Sequence, residues 1–138
     1  MQMNPYLTFN GTCEEAFTRY REILGGTIEA MMPFGETPAC EHTPESWRSK
    51  IMHARLLIDG QMLMGSDAPP DMQEATKGMS VALHIDEPAE AQRVFEALAD
   101  GGRTTMALQE TFWAKKFGML VDRYGIPWMV NCPPAEAG

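Results

Sequence analysis

The same order of elements occurs twice in this chain, and that repetition limits the folds open to it more than any other feature. Pro5–Phe9 reads as a short strand, broken by Asn10-Gly11. Thr12-Cys13-Glu14-Glu15 then matches a capping box, with Thr12 on the first helical turn and Glu15 reaching back. Cys13, Ala16, Phe17, Tyr20, Ile23 and Leu24 recur at helical spacing on one face, and Gly25-Gly26 ends the helix. Three strands are expected next: Thr27–Met32, Ser49–Ile58 and Gln61–Gly65. Pro33 to Trp47 forms a loop after the first, and Asp59-Gly60 signals a type I′ turn between the other two. The second copy starts with a strand at Met79–Ile85. Asp86-Glu87-Pro88 opens a helix with proline in its first turn, and Ala91, Val94, Phe95 and Leu98 line one face. Asp100-Gly101-Gly102 closes it, and strands follow at Arg103–Leu108, Phe117–Val121 and Ile126–Val130. The expected organisation is therefore α+β, two tandem βαβββ modules at about 1–66 and about 79–132, with a linker at about 67–78 and a frayed tail from 132.

Composition narrows the function classes. The length of 138 residues suits one domain with a sizeable core, or two small modules, and 44% apolar with 22% charged residues is ordinary for a globular chain. A net charge of −8, with Lys115-Lys116 as the longest basic cluster, argues against nucleic acid. No segment reaches the roughly 18–20 apolar residues of a spanning helix, and the start MQMNPYLTF has no signal-peptide pattern. A cytoplasmic protein with no membrane partner is expected. Cys13, Cys40 and Cys132 are an odd set without CxxC spacing, which indicates neither a disulfide framework nor a zinc knuckle. Twelve methionines can fill core gaps or line an adaptable pocket.

Gln109 to Val130 is the densest stretch of aromatic, basic and turn residues. Asp122-Arg123-Tyr124-Gly125 reads as a tight turn, with the Asp carboxylate on the turn backbone and Gly supplying positive φ. Ahead of it stand Phe112-Trp113, Lys115-Lys116 and Gly118. Rings beside cations can be a packed hairpin base or the wall of a pocket for a polar or anionic molecule.

The chain resembles the vicinal oxygen chelate superfamily of glyoxalases, bleomycin- and fosfomycin-resistance proteins and dioxygenases, and within it the PhnB-like group. The resemblance is carried by Pro5-Tyr6-Leu7, Asn10-Gly11-Thr12-Cys13-Glu14-Glu15-Ala16, His53-Ala54, Ser66-Asp67, Gln109-Glu110-Thr111-Phe112-Trp113, and Asp122 with Gly125 and Trp128. Ala114 departs from the glycine usual in the group. The resemblance implies a single vicinal-oxygen-chelate domain whose curved, mainly antiparallel sheets form a cup around a small molecule, and it implies a homodimer. Many members hold a divalent metal with His, Glu or Gln of each module's first and fourth strands. Those positions carry over onto Pro5, Met64, Ser80 or Ala82, and Met129, a set without imidazole or carboxylate, so neither metal nor other cofactor is expected. Some relatives carry a name for ubiquinone-precursor methylation, but no glycine-rich S-adenosylmethionine loop is present.

Strand alternation assigns the remaining chemistry. Met52, Ala54, Leu56 and Ile58 should pack on a helix, leaving Ile51, His53, Arg55 and Leu57 toward the cup. His53 is the candidate general acid/base, with a structural histidine as the alternative. Arg55 suits a substrate carboxylate or a salt bridge. Met64, Gln109, Phe112, Trp113, Lys116 and Met129 complete the candidate ligand contacts, with Phe112 and Trp113 on the rim and Lys116 toward an anionic group. Three readings stand: a metal-independent small-molecule binder, a lyase or isomerase using His53, and a structural dimer with a vestigial pocket.

Overall fold

Both repeats form. The structure is a computed structural model that describes residues 1–134, and the tail beyond Pro134 lies outside the described residues. The first copy comprises β1 (Tyr6–Phe9), α1 (Cys13–Leu24), β2 (Thr27–Pro33), β3 (Ile51–Ile58) and β4 (Gln61–Asp67). The second comprises β5 (Val81–His84), α2 (Pro88–Ala99), β6 (Arg103–Gln109), β7 (Lys116–Val121) and β8 (Pro127–Cys132). The chain divides into two units between Glu74 and Ala75. Each unit has one four-stranded sheet, in the orders β1-β4-β3-β2 and β5-β8-β7-β6. The outer pairs β1-β4 and β5-β8 are parallel and the remaining pairs antiparallel. The sheets are thus mixed, and neither closes on itself. These are the open sheets of the glyoxalase/bleomycin-resistance fold.

One face of each sheet is covered by its helix. In α1 the buried side chains are Cys13, Ala16, Phe17, Tyr20 and Ile23, and in α2 they are Ala91, Val94, Phe95 and Leu98. Full burial of a large apolar side chain is worth about 1.5–3 kcal/mol, so these two stripes are a main source of each unit's stability. Close approach is set by glycine: a Cβ on Gly118 of β7 would lie 2.7 Å from the Phe95 ring. Gly26, just past α1, has φ +93°, and a Cβ there would meet the Leu57 carbonyl oxygen at 2.2 Å. The Asp59-Gly60 turn has positive φ at both residues, as a type I′ turn requires.

Several local expectations need correction. The capping box does not form, for Thr12 makes no side-chain cap bond. Asp67 takes its place from the end of β4: Oδ1 accepts the N–H groups of Gly11 and Cys13, both at 2.9 Å, and Oδ2 accepts that of Ile51 at 2.8 Å. Ser66 and Asp67 extend β4, and Ile51 is buried. The stretch expected as a loop from Pro33 contains three short 3-10 turns, at Phe34–Glu36, Pro38–His42 and Glu45–Trp47. Cys132 does not fray: it ends β8, fully buried, with its thiol donating to the Asp86 carbonyl at 3.3 Å.

Asp122 does form the expected turn anchor. Its Oδ1 accepts the N–H groups of Tyr124 at 2.8 Å and Ile126 at 3.0 Å, while Oδ2 accepts the indole N–H of buried Trp128 at 2.9 Å. Gly125 closes the turn with φ +88°. Asp67 and Asp122 are only 2% and 5% exposed, and each faces three donors. An amide at either position would set an NH2 against an N–H. Asp122→Asn is therefore expected to cost about 2–4 kcal/mol in urea denaturation. Exposed Asp71→Asn should change stability by under about 0.5 kcal/mol.

Candidate functional site: the open sheet faces

The face of each sheet turned away from its helix carries the side chains free for binding. In the first unit the strand register lines up Tyr6, Met64, Arg55 and Ala30, with Thr8 beside Ser66 and His53 beside Met32. His53 is half-buried, and its Nδ1 is hydrogen-bonded to the Tyr6 hydroxyl at 3.2 Å, the two rings stacking with centroids 5.8 Å apart. Arg55 is exposed and ion-paired with Glu29 at 3.6 Å, a surface pair of small net worth. Met64 stands opposite Tyr6. The first unit thus brings His53, Arg55 and Met64 onto one face and adds Tyr6, which sequence reasoning left out of the site.

In the second unit Ala82, Met129, Met119 and Met106 form one cross-strand row. His84, Asn131, Phe117 and Gln109 form the next. Trp113 packs edge-on against Phe117 with centroids 5.5 Å apart, and Phe112 against Trp113 at 4.8 Å. Their loop is held by Thr111, whose N–H donates to the Ala114 carbonyl and whose hydroxyl accepts the Ala114 N–H. Ala114 is buried there. Phe112 is 97% exposed and Trp113 47%, so neither is a core residue. Lys116 lies one residue before Phe117 and belongs to the other face. Its ammonium donates to the Gln92 side chain of α2 at 2.9 Å, which directs it to the helix and not to a ligand on the open face.

The strand positions that hold a metal in many relatives do not suit a divalent ion here. At the open-face positions of the first and fourth strands stand Tyr6, Met64, Ala82 and Met129. Pro5 precedes β1 and offers only its carbonyl, which accepts the Met64 N–H. A phenol, two thioethers and a methyl group suit no hard ion. Among the described residues no three His, Cys, Asp or Glu side chains gather as a metal cluster.

The Cys13 thiol is not poised for chemistry either. Burial, then the Asp67 and Glu14 carboxylates, push the Cys13 thiol far above its ordinary range. Cys132 is buried, and Cys40 is half-buried in its loop.

Comparison with known proteins places this geometry. Residues 1–131 match the family described as 3-demethylubiquinone-9 3-methyltransferase. The protein PA1353 from Pseudomonas aeruginosa is similar at 52% identity and TM-score 0.89, over 96% of this chain and 98% of that one. A Bacillus cereus PhnB protein, described as a putative 3-demethylubiquinone-9 3-methyltransferase, is similar at 26% identity and TM-score 0.81, over 96% and 99%. The fosfomycin resistance protein FosX from Listeria monocytogenes shares the fold alone, at 11% identity and TM-score 0.64, over 99% and 94%.

Three measurements check the site. A half-exposed Trp113 should lose less on truncation than the roughly 3–5 kcal/mol of a buried tryptophan: Trp113→Ala is expected to cost under about 1.5 kcal/mol by chemical denaturation. Native thiol titration at pH 7 should label Cys40 ahead of Cys13 and Cys132, with all three reacting in denaturant. The raised Cys13 thiol also fixes a sign. Its contribution is complete below the unfolded-chain value of about 8.5 and is lost as pH rises above it, so the fall in stability from pH 7 to alkaline pH should be smaller in Cys13→Ala than in the unsubstituted chain.

Proposed function

Because the chain belongs to the family described as 3-demethylubiquinone-9 3-methyltransferase, a PhnB-like group of the glyoxalase/bleomycin-resistance/dioxygenase superfamily, we propose that it is a metal-independent small-molecule-binding protein. The observation that carries this reading is the donor set at the aligned strand positions, where Met64 and Met129 stand with Tyr6 and Ala82. Thioethers and rings make a surface that adapts to an apolar molecule, and a few neutral polar groups orient it.

Methyl transfer is not favoured by the strand–helix turns. Asn10-Gly11-Thr12 and Ile85-Asp86-Glu87 contain no glycine-rich run of the kind that lets a nucleotide-like cofactor approach the backbone. Catalysis by His53 as a lyase or isomerase is the second reading. Its support is the exposed Tyr6–His53 pair, but a base working through that imidazole would gain most from a carboxylate on Nδ1, and Tyr6 is the partner there. Binding is therefore preferred. A homodimer completes the proposal, since Tyr6, Met32, Met106, Phe112 and Trp113 leave large apolar side chains at the surface. No described helix is long and apolar enough to cross a membrane. The three free cysteines suit a reducing cytoplasm.

A metabolite screen by thermal shift tests the reading. Some compound should raise Tm, and excess EDTA should leave that shift unchanged. A shift abolished by EDTA and restored by one divalent ion would overturn metal independence. Light scattering at micromolar concentration should give about twice the 15.4 kDa chain mass. A monomer would refute the dimer.

A further inference from the structure

Pairing register brings thioethers together in the second unit. Met106 of β6 lies opposite Met119 of β7, and Met119 lies opposite Met129 of β8, so the three share the open face in one cross-strand row. The matching row of the first sheet, Ala30, Arg55 and Met64, has one thioether and a guanidinium at its centre. None of the three methionines belongs to the core: Met106 is 39% exposed and the other two are half-buried.

Directly opposite side chains have Cβ atoms about 5 Å apart. A methionine sulfur ends an unbranched stem with three rotatable bonds, so neighbouring sulfurs in the row can close on one ion between them. Met119 has a thioether on each side and belongs to both such pairs. The outer two complete the set by leaning inward over it. The donors also choose the ion. A thioether is neutral and soft, and it suits Cu(I) while offering little to Mg2+, Ca2+ or Mn2+. Neutral donors leave the ion's charge unbalanced, which a single positive charge tolerates better than a double one.

The surroundings accept a cation. Phe117 is two residues from Met119 on the same side of β7, with Trp113 edge-on against it, and ring faces attract cations. Arg103, opposite Val121, is exposed and one row away, where its long stem lets the guanidinium stay in water. The chain as a whole carries a net charge of −8.

We propose that Met106, Met119 and Met129 form a binding site for a soft monovalent ion, Cu(I), on the open face of the second sheet. The inference goes beyond the small-molecule reading and stands separately from it, since it involves no hard divalent ion and assumes no organic ligand.

The test titrates Ag(I), which shares the sulfur preference and keeps its oxidation state, into the full chain carrying Cys40→Ser and labelled with 13C at its methionine methyls. That substitution removes the least buried thiol, which would otherwise take the ion. Saturation at one ion per chain is expected, with shifts at Met106, Met119 and Met129 and none at exposed Met72 and Met79. Mg2+ should shift none of them. Met119→Leu conserves volume and removes the sulfur. It should weaken binding at least about tenfold, Met106→Leu and Met129→Leu by a smaller factor, and Met72→Leu not at all. Anaerobic competition against bicinchoninate for Cu(I) should rank the variants in the same order. No saturable binding once Cys40 is replaced, or shifts centred on Met32, Met62 and Met64, would overturn the proposal. So would a loss in Met119→Leu no larger than in the two outer variants. An EDTA-insensitive thermal shift with a metabolite, seen beside any of these failures, leaves the small-molecule reading standing.

Discussion

The Asp67 carboxylate is the contact on which the first unit depends. It ends β4, yet its acceptors serve the turn before α1 and the first residue of β3. One buried charge thereby fixes the helix start to two strands distant in sequence. A buried carboxylate with fewer donors would be a liability, because desolvation costs more than a single hydrogen bond returns. With three N–H groups it is satisfied, and the negative charge also lies where the helix dipole favours it. Asp122 does a similar task by local means, tying its own turn and reaching to the Trp128 indole.

The two units show how a repeated backbone can carry different chemistry. Met64 pairs with Tyr6 as Met129 pairs with Ala82, so an offset of three from each puts Asp67 and Cys132 at matching places. Both meet the strand–helix connection of their unit, the carboxylate by accepting from Gly11 and Cys13 and the thiol by donating to the Asp86 carbonyl. On the open faces the same correspondence sets Tyr6 against Ala82. The first sheet gains a phenol that meets His53, while the second has a methyl group at that place.

Much of the fold was legible because its signals are local. Helical spacing marked the stripes of α1 and α2, and paired glycines marked where each helix stops. Asp59-Gly60 and Asp122–Gly125 announced their turns through residues that tolerate positive φ or bond their own backbone. What the sequence hid was non-local. Thr12 and Glu15 form a plausible capping box, but a buried carboxylate some fifty residues later, positioned by β4, holds the start of the helix through the neighbouring Gly11 and Cys13 N–H groups instead. The burial of Ile51 was hidden in the same way, for its backbone N–H is held by Asp67 at the start of β3. The site was only partly legible. Strand parity put His53 and Arg55 together and the resemblance added Met64, but Asn131 and the alignment of Met106 with Met119 depend on pairing register and on bulges in β6.

Register also decides what each face can do. Lys116 and Phe117 are adjacent in sequence and both suggest a binding role, yet a strand sends them to opposite sides. The lysine is used against the helix through Gln92, and the phenylalanine joins Trp113 on the open side. A shift of one residue would put Lys116 on the open face and a ring against α2. Gly118 makes that shift costly, since the position beneath the Phe95 ring admits no side chain. Packing against the helix thus fixes the register, and the register in turn sets the charge of the face that is left open. The packing of the covered side and the side-chain chemistry of the exposed side follow from one constraint.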